Sequence, residues 1–163
     1  ATCCGTLWTG VSLCVEFASR LLDNRSMNFA HFQALYDGLR IDPVIVCNLE
    51  VGLAKQLGAR VTRVLLSQET VRKQRDHHPD LCTADYVALR PALLYGEVRQ
   101  DSPRTAVVLF VDRHQTGYGI RASLKVTGDG KAIYATSFCR LRQRTYARQL
   151  AKPYPIIRPH SHI

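Results

Sequence analysis

The sequence predicts an α+β fold: N-terminal helices, then a curved antiparallel sheet of about four strands, then a basic C-terminal helix. Three observations carry that expectation. Apolar residues in the first half recur at three- and four-residue spacing, as in Phe29, Phe32, Leu35, Tyr36 and Leu39. From Glu97 the apolar period changes to two. Turn residues punctuate the boundaries, at Gly58, Gly96 and Gly128-Asp129-Gly130.

Taken in order, Val11 to Leu22 suits a short helix. Ser26 is the candidate N-cap of a helix from about Met27 to Leu39. Asp42-Pro43 reads as an N-cap followed by proline at the first helical position, opening a helix that stops at Gly58. Val61 to Leu66 is a short strand, and Ser67 caps the helix after it, with Glu69 in its first turn. That helix ends before His78-Pro79, because the residue before proline avoids the helical region. Thr83 caps a further helix to about Tyr95, interrupted by Pro91. Glu97 to Gln100 and Thr105 to Asp112 are strands flanking an Asp101-Ser102-Pro103 turn, and His114 to Gly117 turns the chain again. Tyr118 to Thr127 is the clearest strand: Tyr118, Ile120, Ala122, Leu124 and Val126 share one side, and Gly119, Arg121, Ser123, Lys125 and Thr127 the other. A hairpin at Gly128-Asp129-Gly130 returns the chain through Lys131 to Phe138. A helix from about Leu141 to Leu150 precedes an extended, proline-rich tail. Helices on one sheet face leave the other open, so Arg121, Ser123 and Lys125 line an open face. The domain reading is a helical segment over 1–58, a main domain over 59–152 and a tail over 153–163.

A chain of 163 residues suits one domain with a core of its own, and 46% hydrophobic against 21% charged residues is ordinary globular composition. The longest apolar run, Val107 to Val111, is of strand length, so no membrane partner is expected. A collagen, a mucin and an acidic calcium protein are excluded by composition. The net charge is +9, but residues 1–58 carry −1 and residues 59–163 carry +10. From Cys139 onward six basic residues meet no acidic one. Such asymmetry points to an anionic partner rich in phosphate. The six cysteines match no metal or redox spacing and read as reduced thiols. His160-Ser161-His162 reads as part of a free tail rather than a metal site. No basic segment precedes the apolar stretch from Leu7, so no signal peptide is recognised. The only methionine is Met27, which leaves a natural start there, or removal of an initiator before Ala1, as open alternatives.

An ordered set of fragments adds to this. Val64-Leu65-Leu66-Ser67 with Glu69-Thr70, His78-Pro79-Asp80-Leu81, Asp85-Tyr86, Gly96-Glu97-Val98, Leu124-Lys125-Val126-Thr127 and Thr136-Ser137-Phe138-Cys139-Arg140 occur in that sequence. Together they resemble the phage-associated branch of the barnase/EndoU/colicin/RelE-like nuclease superfamily, over roughly residues 60–148. The resemblance implies a strand, a helix ending in a His-Pro-Glu-like motif, a second helix and a curved four-stranded sheet. It implies cleavage of RNA without metal or other cofactor, by a toxin-like or phage-borne effector. A bacterial cytoplasm or a phage virion would be its location, and an antitoxin, an immunity protein or a phage head protein its protein partner.

In that hydrolase chemistry a base takes the proton of a ribose 2′-hydroxyl, which attacks the adjacent phosphorus, while an acid protonates the leaving 5′-oxygen. Cations stabilise the phosphorane. The candidates are His78 as acid or base, Arg121 and Lys125 on the scissile phosphate, Thr136 and Ser137 as hydrogen-bond donors to it, and Arg140 reaching the same phosphate. Arg142, Arg144 and Arg148 are the candidates for sequence-independent binding, and Tyr118 and Tyr134 for stacking on bases. The chain departs from the resembled pattern at Asp80, in place of glutamate, and at Cys139, where relatives frequently carry histidine. A non-catalytic virion or nucleic-acid-binding component using the same basic face is the alternative.

Overall fold

The computed structural model describes residues 28–111 and 118–161. Helix α1 spans Phe29–Tyr36 and is capped by Asn28, whose side-chain oxygen accepts from the His31 N–H at 3.1 Å. The expected Val11–Leu22 helix and the Ser26 cap lie outside the described residues, as does the His114–Gly117 turn.

The helix expected from Asp42-Pro43 to Gly58 does not form as one element. Val44–Asn48 is strand β1, and helix α2 is only Val51–Gln56. Val44, Ile45 and Val46 are β-branched and favour extended backbone. They also gain an antiparallel partner, β2 (Arg63–Leu66), with Val44 opposite Leu66. Gly58 follows α2 at φ 77, the left-handed conformation that its position predicted. Helix α3, Gln68–His77, is capped as expected: the Thr70 N–H donates to Ser67 Oγ at 3.2 Å. The single helix expected from Thr83 is two, α4 (Thr83–Val87) and α5 (Leu89–Tyr95). Pro91 has no N–H for the Val87 carbonyl, which is where the first helix ends. The cap is one residue earlier than expected, with the Cys82 N–H donating to the Asp85 carboxylate at 2.8 Å.

Strands β3 (Glu97–Ser102), β4 (Thr105–Val111), β5 (Tyr118–Val126) and β6 (Ile133–Arg142) form the expected meander. The sheet, however, has seven strands, in the order β1-β2-β6-β5-β4-β3-β7, and is mixed, because β2 runs parallel to β6. Helix α6, Gln143–Leu150, is not the last element: β7 (Ile156–Arg158) follows and pairs antiparallel with β3. The Arg158 guanidinium is buried and donates to the carbonyls of Leu93 and Gly96, both at distances below 3 Å (2.7 and 2.8 Å). The boundaries at 58 and 152 therefore do not divide the sheet, since β1 and β7 are both part of it.

Ile120, Ala122, Leu124 and Val126 on β5 are buried beneath the helices, with Phe32, Leu35, Val71, Tyr86, Leu89 and Leu93 in the same core. The Tyr86 ring lies 4.9 Å from that of Phe32 and 5.4 Å from that of Phe138, centroid to centroid. A polar link runs through this apolar layer. The Tyr86 hydroxyl donates to Gln74 Oε1 at 2.7 Å, and Gln74 Nε2 donates to the Phe138 carbonyl at 3.1 Å. It joins α4, α3 and β6. Tyr86→Phe leaves the buried amide oxygen of Gln74 without its donor and is expected to cost about 1–2 kcal/mol in urea unfolding; an unchanged midpoint would show that the link carries no stability.

Candidate functional site

The alternation along β5 places Arg121, Ser123 and Lys125 on the face opposite the core. Register sets Cys139 opposite Arg121, Ser137 opposite Ser123, and Tyr134 opposite Lys125. The face is open at its Lys125 end. At its Gly119 end it is covered by α6, with the Tyr146 ring seated where any Gly119 Cβ would lie, 2.1 Å from its nearest atom.

An open cleft of about 530 Å³ lies at the Lys125 end. Lys125, Thr127, Tyr134 and Thr136 form one wall; Ser67, Glu69, Thr70 and Lys73 from the start of α3 form the other, beside Pro43. Topology brings the two walls together. Leu65 on β2 pairs in parallel with Tyr134 on β6, so the chain leaving β2 enters α3 alongside the next residues of β6. Thr136 is the extra residue of a β-bulge: Ser123 faces Ser137, but Leu124 faces Ala135.

Lys73 Nζ lies 2.6 Å from Glu69 Oε1, one helical turn away. That hydrogen bond, then the Lys73 charge, holds the Glu69 carboxyl below its ordinary value. Both groups are largely exposed, at 62% and 65%, so the pair adds little stability; what it does is keep a carboxylate ionised on the cleft wall. Lys125 is exposed and forms no ion pair among the described residues.

The other sequence candidates fall in different places. The Ser137 hydroxyl donates to Ser123 Oγ at 2.9 Å, within the sheet face rather than in the cleft. Arg121 is half-buried on the Lys125 face, with its Nε buried and without a hydrogen-bond partner among the described residues. Four residues of strand, about 13 Å, separate it from Lys125, and it does not line the cleft; the two cations mark a track, not one phosphate site. Arg140 is on the opposite face. It pairs with Ile120, because the bulge at Thr136 shifts the alternation of β6 by one residue. Its guanidinium lies 3.3 Å from the Asp85 carboxylate, donates to the Asp80 carbonyl at 3.1 Å and sits over the Tyr118 ring at 5.8 Å. It cannot reach the phosphate site expected of it. His78 follows the C-terminus of α3, five residues and about 7.5 Å of helix axis beyond Lys73, and does not line the cleft. The structure therefore does not bring the acid or base expected of His78 into the Lys125 cleft. Arg142, Arg144 and Arg148 are exposed, and Tyr118 is 48% exposed.

Glu69, Lys73, Thr70 and Thr127 were not read as site residues. In the sequence Ser67 and Glu69 read as capping signals and as part of a resemblance fragment, not as site residues, since the parallel β2–β6 pairing that turns them toward Lys125 has no local signature. The described cysteines Cys47, Cys82 and Cys139 are free thiols. Burial pushes Cys47 up to about 12 and also raises Cys139, in both cases against the pull of neighbouring arginines, so neither is a thiolate at neutral pH. The described residues contain no group of His, Cys, Asp or Glu suited to a metal ion, and no helix long and apolar enough to cross a membrane. His160 stacks on Phe110, with ring centroids 5.8 Å apart, and so is not part of a free tail; His162 lies outside the described residues.

No protein-family model matches the chain, and no curated protein or solved structure matches it either.

The two cations thus have opposite roles, which stability separates. Arg140→Ala removes the cation from the mostly buried Asp85 carboxylate, leaving it the Cys82 N–H, and is expected to cost about 1–2 kcal/mol in urea unfolding. Lys125→Ala is expected to stay within about 0.5 kcal/mol of wild type. Equal losses would contradict the assignment.

Proposed function

We propose that the protein is a metal-independent ribonuclease acting at the Lys125 cleft. One observation carries this reading: an ionised carboxylate, Glu69, and the Lys125 ammonium, unpaired among the described residues, line one open cleft together with hydroxyl donors. The order β2, α3, α4–α5 and then the β3–β6 meander supports it as well, being the order that the nuclease resemblance implies.

RNA lies with a phosphodiester against Lys125. The Glu69 carboxylate takes the 2′-hydroxyl proton, and the 2′-oxygen bonds to phosphorus. Lys125, with the Thr136 hydroxyl, stabilises the equatorial oxygens of the phosphorane. The bond from phosphorus to the 5′-oxygen then breaks, and that oxygen takes a proton from the Lys125 ammonium. The products are a 2′,3′-cyclic phosphate and a 5′-hydroxyl; solvent returns the Glu69 proton to Lys125. DNA lacks the attacking group and is not cut. Arg121 and the exposed arginines of the β6–α6 segment hold the flanking strand without regard to sequence. Such an effector acts in a bacterial cytoplasm or travels in a phage virion, restrained by an antitoxin or immunity protein or carried with a head protein.

The absence of any described histidine from the cleft favours a second reading, a binding module that holds RNA without cutting it. Cleavage of RNA in EDTA separates the two. Wild type is expected to cut, Lys125→Ala to be slowed by about 10²-fold or more, and Glu69→Gln by about 10²–10⁴-fold. Because Glu69 titrates below the ordinary carboxylate value, activity is expected to fall only as pH drops below that range, and Lys73→Met should move this acid limb upward. Intact RNA with wild type, or full activity in Glu69→Gln, contradicts the nuclease reading.

A further inference from the structure

Four side chains form one row across the outer face, at the end where that face is open. Ile45 on β1 lies opposite Leu65 on β2, Leu65 pairs with Tyr134 on β6, and Tyr134 lies opposite Lys125 on β5. Residues paired directly across neighbouring strands point to the same side of a sheet. Burial agrees with that placement. The adjoining residues Val44, Leu66, Ile133 and Val126 are buried in the core on the other side. Ile45 is 45% exposed, Leu65 and Tyr134 are half-buried, and Lys125 is exposed.

The row runs from apolar to cationic. Its three strand-to-strand steps, from Ile45 to Lys125, span about 14 Å. Ile45 and Leu65 bring no polar group, whereas Tyr134 also lines the Lys125 cleft, with Thr127 and Thr136. A second cation stands next to the row. Arg63, two residues before Leu65 on β2 and so on the same side, is exposed. Neither Arg63 nor Lys125 forms an ion pair among the described residues. A free phosphate would leave the apolar part of this row unused. An apolar peptide would bury beside two cations with nothing to neutralise them. A flat ring carried on an anionic backbone meets both parts at once.

We infer that the Tyr134 ring, flanked by Leu65 and Ile45, stacks one unpaired base of an RNA strand, the base of a nucleotide whose phosphate lies against Lys125. The seat rests on the RNA reading of the Lys125 cleft and gives that reading a place for a base next to the scissile bond. Stacking uses the π-face that every base has, so the seat selects no sequence. It does require a base free of its own helix, which makes single-stranded RNA the substrate class.

The test uses labelled 2′-O-methyl oligonucleotides, which carry no attacking hydroxyl, so that binding is measured apart from cleavage. Wild type is expected to bind a single strand roughly tenfold more tightly than the same backbone made abasic, and more tightly than the duplex. Tyr134→Ala is expected to lose the advantage of the base while binding the abasic strand as wild type does. Tyr134→Leu, which keeps apolar bulk without an aromatic ring, is expected to lose it as well, and Tyr134→Phe to keep it. If the alanine and leucine variants weaken both strands alike, or neither, the seat is overturned, even where native RNA is cut. If Tyr134→Leu leaves every strand bound as before but abolishes self-association in sedimentation equilibrium, the row is a contact between copies and the seat is likewise overturned. If the base advantage is present while native RNA stays intact in EDTA, the seat stands and cleavage at Lys125 fails. Failure of wild type to bind any strand overturns both.

Discussion

Gln74 holds the molecule's functional geometry from inside its core. Its amide oxygen takes the Tyr86 hydroxyl and its amide nitrogen reaches the Phe138 carbonyl, so a single side chain fixes α3 against both α4 and β6. A buried amide left half-satisfied is costly, which makes the two bonds cooperative in effect: α3 has one low-energy seat on the sheet. The start of that helix carries Ser67, Glu69, Thr70 and Lys73, and the strand it is fixed to carries Tyr134 and Thr136. The cleft exists because those two walls are held in register by groups that never touch it.

The basic character of the chain divides along the same lines. Arg158 is buried against the carbonyls of Leu93 and Gly96, and Arg99 donates to the carbonyls of Leu150 and Lys152 while pairing with Glu97. Those arginines close the C-terminal segment onto the β3 edge. Arg140 holds the Asp80–Asp85 loop. Their charge belongs to the fold. Lys125, Arg121 and the exposed arginines around α6 have no such partner among the described residues, and these are the cations that the proposed function sets against a polyanion. A net charge counts both kinds alike; only the partners tell them apart.

What the sequence made legible follows from how local each signal is. The two-residue period of β5, the Ser67 cap and the left-handed Gly58 depend on near neighbours, and each is where the pattern put it. Strands β1 and β7 depend on partners elsewhere in the chain, and Asp42-Pro43 carries a local helix signal that strand pairing overrides. Arg140 shows the subtlest failure. The sequence ends the last strand at Phe138 and sets Arg140 at the start of the basic helix, yet β6 runs on to Arg142 and the bulge at Thr136 turns Arg140 to the side of Ile120. Lys125 was legible as a surface cation, but its neighbours across the cleft were not, because they arrive through the parallel β2–β6 pairing.

The central claim is that a ribose hydroxyl, and no metal, drives the chemistry beside Lys125. A DNA oligonucleotide carrying a single ribonucleotide, incubated with the full chain in EDTA and analysed by mass spectrometry, tests it directly. The account predicts one cut, on the 3′ side of the ribonucleotide, leaving a 2′,3′-cyclic phosphate and a 5′-hydroxyl. Cuts elsewhere in the DNA, a 5′-phosphate product, or no cut in this strand or in all-RNA controls would contradict it.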